Sequence, residues 1–162
     1  MKKVLIVCVL LIMPILIKAQ KPQVFNFNKH HNTSGWNFGG GEVEVEDGVY
    51  TFTLDGSERD ANIRKSYIKA DNNKFVHIVM KCTSDVVDML RLNFRRDDGS
   101  TAFVNLDMSN NDKEFKTYTF DLSENKDWNG VKLLSFRFSN NKDKATGLIE
   151  IDEIVLDNVA TH

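Results

Sequence analysis

From residue 24 to its end the chain is built of short alternating apolar and polar runs, broken repeatedly by Asn, Asp, Gly or Ser. A period of two sends successive side chains to opposite faces of an extended strand, so the pattern reads as half-buried strands and not as amphipathic helices. The breaks recur near the spacing of about 8–12 residues expected of a β-sandwich. Strands are predicted at 24–28, 42–46, 49–54, 61–69, 75–82, 89–96, 101–108, 115–122, 132–139 and 148–156, with hairpin turns at Asp47-Gly48 and Asp97-Asp98-Gly99-Ser100. The expected fold class is all-β: a two-sheet antiparallel sandwich.

Residues 1–19 read as a signal peptide. Lys2 and Lys3 precede an apolar run from Val4 to Ile17, followed by Lys18 and Ala19. The run is shorter than the roughly 20 residues of a membrane span, so no membrane-spanning anchor is expected. Cys8 lies too early in it, after the bulky Val7, to serve as a lipid-attachment point. Export as a secreted or periplasmic protein follows. Without the leader's three lysines, 18 basic residues face 23 acidic ones, a formal charge of −5 that argues against a nucleic-acid partner. About 143 residues remain at 20–162, enough for a single domain that needs no disulfide. Cys82 alternates with Met80 and Ile78 and is expected in the core. Asn-rich stretches at 71–73, 109–112 and 140–141 are ordinary turn chemistry.

In a sandwich the apolar parity of each strand identifies the residues left outside. With Leu90, Leu92 and Phe94 inward, Arg91, Asn93 and Arg95 point out. With Val104, Leu106 and Met108 inward, Phe103, Asn105 and Asp107 point out; with Leu134, Phe136 and Phe138 inward, Leu133, Ser135 and Arg137 do. In 75–82 the same parity buries Val76, Ile78, Met80 and Cys82 and exposes His77 and Lys81. Guanidinium forks, amides and a carboxylate are the groups that bond sugar hydroxyls or grip sugar carboxylates and sulfates two at a time. Arg91, Asn93, Arg95, Phe103, Asn105, Asp107 and Arg137 are therefore the candidate ligand-binding set, with Phe103 available to stack on a sugar ring. A solvated face of cross-strand ion pairs is the competing reading. Trp36 and Trp128, in turn-rich segments, are expected to plug the ends of the sandwich. His30 and His31 would face opposite ways on a strand, which is poor geometry for zinc.

The last segment, Gly147 to Asn158, reads GLIEIDEIVLDN, and strict alternation places Glu150 and Asp152 on one side and Glu153 and Asp157 on the other. Glu150-Ile151-Asp152 resembles the opening of the E-[IVL]-D-x-x-E catalytic strand of laminarinase- and agarase-like glycoside hydrolases. A retaining mechanism needs two carboxylates about 5–5.5 Å apart. Val155 stands where the final acid belongs, and Glu153 falls on the face opposite Glu150, so the motif is incomplete and no catalytic residue is expected.

A wider resemblance rests on Ser34-Gly35-Trp36, Asp47-Gly48-Val49-Tyr50, Thr117-Tyr118-Thr119-Phe120-Asp121-Leu122, Asp127-Trp128-Asn129-Gly130 and Ile151-Asp152-Glu153-Ile154-Val155-Leu156. Together these resemble the galactose-binding-like jelly rolls, and among them the non-catalytic carbohydrate-binding modules that accompany polysaccharide-degrading enzymes. The resemblance implies a structural calcium joining first and last strands, with Asp152 at the last-strand position. The first strand departs from the family, offering Phe27-Asn28 where Phe-Glu is usual. The expected activity is non-catalytic binding of a polysaccharide or oligosaccharide, an anionic one given the arginines. A small secreted lyase or glycoside hydrolase, and a protein-interaction or adhesin domain, are the alternatives.

Overall fold

The computed structural model describes residues 21–39, 42–56, 60–71, 73–109, 111–139 and 144–162. The leader at 1–19 and parts of the Asn-rich turns lie outside the described residues. Eleven strands are present among them: β1 (Gln23–Asn26), β2 (Asn37–Phe38), β3 (Val43–Glu46), β4 (Val49–Asp55), β5 (Asp60–Lys69), β6 (Phe75–Cys82), β7 (Met89–Arg95), β8 (Thr101–Asp107), β9 (Lys116–Asp121), β10 (Val131–Ser139) and β11 (Thr146–Asp157). No helix among the described residues is long and apolar enough to cross a membrane.

The strands form two antiparallel sheets. One has the order β3-β4-β11-β6-β9, with β1 also pairing to β11; the other runs β2-β5-β10-β7-β8. The all-β sandwich predicted from alternation is what the chain forms. Every long predicted strand is present within a residue or two. Only β2 was missed, because two residues carry no readable period. Asp47 and Gly48 both take positive φ, 47° and 86°, the pair that a tight primed turn between β3 and β4 requires.

Aromatic side chains join the inner faces. Phe52 on β4 meets Phe138 on β10 with ring centroids 5.5 Å apart, and Phe120 on β9 meets Phe136 on β10 at 5.9 Å. Trp36 packs on Phe136 and Trp128 on Phe94, both indoles buried as plugs. Trp128 Nε1 donates to the Asn73 carbonyl, tying the 123–130 loop to the turn before β6. Each buried ring contributes about 1.5–3 kcal/mol by leaving water. Cys82 is a fully buried thiol whose burial pushes it up from its ordinary value, as expected of a core cysteine.

The closing strand departs from strict alternation. Ile151 pairs with Met80 and Glu153 with Val79, so Asp152 is an extra residue, a β-bulge that shifts the phase of β11 by one. Ile149 and Ile151 face inward before it and Ile154 and Leu156 after it, all fully buried. Glu150 and Glu153 consequently share the outer side, contrary to the opposite-face expectation. His77 also corrects the sequence reading. It lies on the sheet opposite the arginine strands, and the C-terminal tail covers it completely.

Candidate functional site

The residues singled out on β7, β8 and β10 gather on the outer face of the β2-β5-β10-β7-β8 sheet, and the register arranges them in rows. In one row Asn62 of β5 pairs with Arg137 of β10, which pairs with Arg91 of β7 and then Asn105 of β8. Its neighbour runs Asn37, Arg64, Ser135, Asn93 and Phe103 across all five strands. Inward Leu92, Phe136 and Ile63 lie between these rows and anchor them to the core. Neither row contains a carboxylate. Arg91 and Arg137 stand directly opposite each other on β7 and β10.

Local contacts hold the row in shape. Arg91 Nε donates to Asn105 Oδ1 at 2.8 Å, and its guanidinium lies 4.4 Å from the centroid of the Phe103 ring. A cation over an aromatic face is worth about 0.5–1 kcal/mol at an exposed site. Phe103, 56% exposed, therefore carries Arg91 on one ring face as well as presenting surface to solvent. Asn93 Nδ2 donates to Ser135 Oγ at 3.3 Å. Arg95 sits at the hairpin end, paired with Thr101, and its guanidinium donates to the Gly99 carbonyl at 2.9 Å. Beside it a cavity of about 60 Å³ opens between Asn93, Phe94, Arg95, Thr101, Leu133 and Ser135. Asp107 occupies the other end, paired with Met89, one same-face rung beyond Asn105.

Sequence parity located the set on β7, β8 and β10 but missed Asn62, Arg64 and Asn37. Ile63 inward and its neighbours outward was a usable signal for the first two. The second bulge, between β5 and β10, blurs it by putting Ile63 and Ile68 out of step. Asn37 had no signal because β2 had none.

The acids of the last strand stand on the opposite sheet. Glu150 is paired with Lys81 at 2.7 Å, and Val155 is buried. Asp152 is exposed on the bulge; partial burial and the neighbouring Glu153 push its carboxyl up. Among the described residues no group of three or more His, Cys, Asp or Glu side chains converges as a metal site. A larger groove of about 400 Å³ lies on that other sheet, lined by His31, Glu42, Val43, Glu44, Thr51, Phe52, Thr53 and Leu148. It is acidic, and its donors are few. At the sheet edge, Asp112 accepts hydrogen bonds from Lys116, Ser109 and Tyr118. Burial pushes its carboxyl up, but these bonds outweigh it and hold the group below the usual range.

No protein-family model matches the chain, and no curated protein matches it in sequence. Solved structures do match. A family 11 carbohydrate-binding module from Clostridium thermocellum, in complex with a β-1,3-1,4-mixed-linked tetrasaccharide, superposes with a TM-score of 0.58 at 14% identity, over 87% of this chain and 98% of the module. The chain shares the jelly-roll fold of such modules. A mutant of a family 29 module matches at 0.56 and 13% identity, over 88% of this chain and all of that one. An agarase gives 0.64 at 7% identity over 83% of this chain, and the chain spans only 26% of that enzyme's length. The fold predicted from the resemblance is borne out.

Proposed function

We propose that this chain is an exported, non-catalytic polysaccharide-binding domain that grips an anionic glycan on the outer face of the β2-β5-β10-β7-β8 sheet. The observation that carries this reading is the pair of polar rows, in which Arg91, held by an amide and a ring, stands beside Arg137 on the adjacent strand. A sugar carboxylate or sulfate placed beside Arg91 would accept two-toothed hydrogen bonds from its guanidinium. Asn62, Asn93 and Asn105 supply donors and acceptors for hydroxyls on either side. Whole-length superposition on carbohydrate-binding modules supports the reading. Against catalysis stand the buried Val155 at the motif's final acid position and the two acids that do share a face, Glu150 and Glu153, which are engaged with Lys81 and His162 on the far sheet.

Calcium at Asp152 belongs to the same proposal. The bulge lies where β11 passes from pairing with β4 to pairing with β1, which suits a tie between first and last strands. With so few acids nearby, the ion would draw most of its oxygens from backbone and amide carbonyls. A thermal midpoint raised by calcium and lowered by chelator supports it, and an unmoved midpoint removes it.

The function is tested by retarding the purified protein in gels containing agarose, alginate, polygalacturonate, laminarin, xylan or soluble cellulose, while assaying the same polymers for new reducing ends and unsaturated products. Retardation in the acidic polymers without product is expected. Sustained product release would favour a lyase or hydrolase, and no retardation at all would favour a protein partner.

A further inference from the structure

Tyr67 is the most exposed large apolar side chain among the described residues, at 86%. Its backbone sits at φ 62°, a left-handed conformation that is a true outlier for a bulky residue and costs on the order of 1–3 kcal/mol. An exposed aromatic in a strained backbone adds nothing to the core, so its placement calls for another reason.

The position follows from the register. Lys65 pairs with Leu134 and Ile68 with Lys132, so Ser66 and Tyr67 together oppose the single residue Leu133. Both flanking pairs face inward, which turns Ser66, Tyr67 and Leu133 to the outside. That is the side carrying Arg64, Ser135, Asn93 and Phe103. Leu133, 39% exposed, also lines the small cavity with Asn93, Arg95 and Ser135. The bulge thus adds an apolar shelf to the polar rows, three strands away from Phe103, or about 14 Å across the sheet. β2 pairs only with Arg64 and Ile63, and so stops short of Tyr67.

We propose that Tyr67 is a second stacking platform of the glycan site, so that the polysaccharide lies across the strands from Phe103 on β8 to Tyr67 on β5. This rests on the proposed function and adds its direction. The ligand is an internal stretch of a long chain, its apolar ring faces resting on aromatic side chains at both ends, its polar groups meeting Asn93 and Ser135 between them, and the Arg91 row running alongside. An open far end lets the polymer continue past the protein.

The test uses gel retardation through the same six polymers for wild type, Tyr67→Asn, Tyr67→Phe and Arg91→Ala, with thermal midpoints measured in parallel. Asn tolerates the left-handed conformation, so Tyr67→Asn removes the ring without harming the fold. Its midpoint is expected to stay level or rise while its affinity falls about tenfold, and Tyr67→Phe should bind as wild type. If Tyr67→Asn binds as tightly as wild type while Arg91→Ala does not bind, the platform is wrong and the arginine face stands. If wild type is retarded by none of the polymers, platform and face fall together.

Discussion

The two outer faces of this sandwich are made by the same rule of alternation yet treat their polar residues in opposite ways. On the β3-β4-β11-β6-β9 sheet the polar groups pair with one another. Lys81 meets Glu150 at 2.7 Å, and His162 meets Glu153 at 2.8 Å. The C-terminal tail folds over His77, whose Nε2 donates to Asp157 Oδ1 at 3.1 Å and to the Val159 carbonyl at 2.9 Å, while its Nδ1 shares a hydrogen bond of 2.9 Å with Thr119 Oγ1. On the other sheet Arg91 rests on an amide and a ring, and Arg95 on a carbonyl, so neither guanidinium is neutralised by these contacts. The first arrangement serves stability. The second leaves charge for something outside the molecule to satisfy.

The contrast can be broken first at His77. His77→Ala strips partners from Asp157, Thr119 and the tail, and should lower unfolding free energy by about 2–3 kcal/mol in urea titration while leaving glycan retention of the folded protein intact. Arg91→Ala should do the reverse. Retention weakens by about 1.5–3 kcal/mol, the usual worth of hydrogen bonds to a charged group, with stability moved by less than about 0.5 kcal/mol. Equal loss of folding by Arg91→Ala would make the row structural.

A smaller effect sharpens the stability side. Asp112 is held below its unfolded value, so its contribution is complete above the ordinary carboxylate pKa near 4 and is lost as pH falls through the depressed folded value. Acid unfolding of Asp112→Asn should therefore lack part of the wild-type slope below about pH 4. Least of all is expected of Glu150→Gln. The pair with Lys81 is partly exposed and worth at most about 1 kcal/mol, and glycan retention and product release should not change. A loss of product formation in that variant would revive the enzyme reading.

How much was legible beforehand depends on where the determinants lie. Leu90, Leu92 and Phe94, each buried, declare the parity of β7 within the strand itself, so Arg91 and Asn93 could be placed outside from sequence. Bulges are different. Asp152 and the Ser66-Tyr67 pair are extra residues only relative to a partner strand distant in sequence, and no local period announces them. His77 looked exposed for the same reason, since its cover comes from Val159 and His162, over eighty residues away. Roles within the face were only half readable. Phe103 was expected to serve sugar rings, and one of its ring faces carries Arg91.

On the proposed function, glycan meets the arginine face and not the acidic groove near His31. The direct measurement is a backbone amide NMR titration of the protein with alginate and agarose oligosaccharides. Shifts are expected to concentrate on β5, β10, β7 and β8 around Arg64, Ser135, Arg91 and Phe103, with β4 and the start of β11 silent. Shifts centred on Thr51, Thr53 and Leu148, with the arginine strands unmoved, would contradict it.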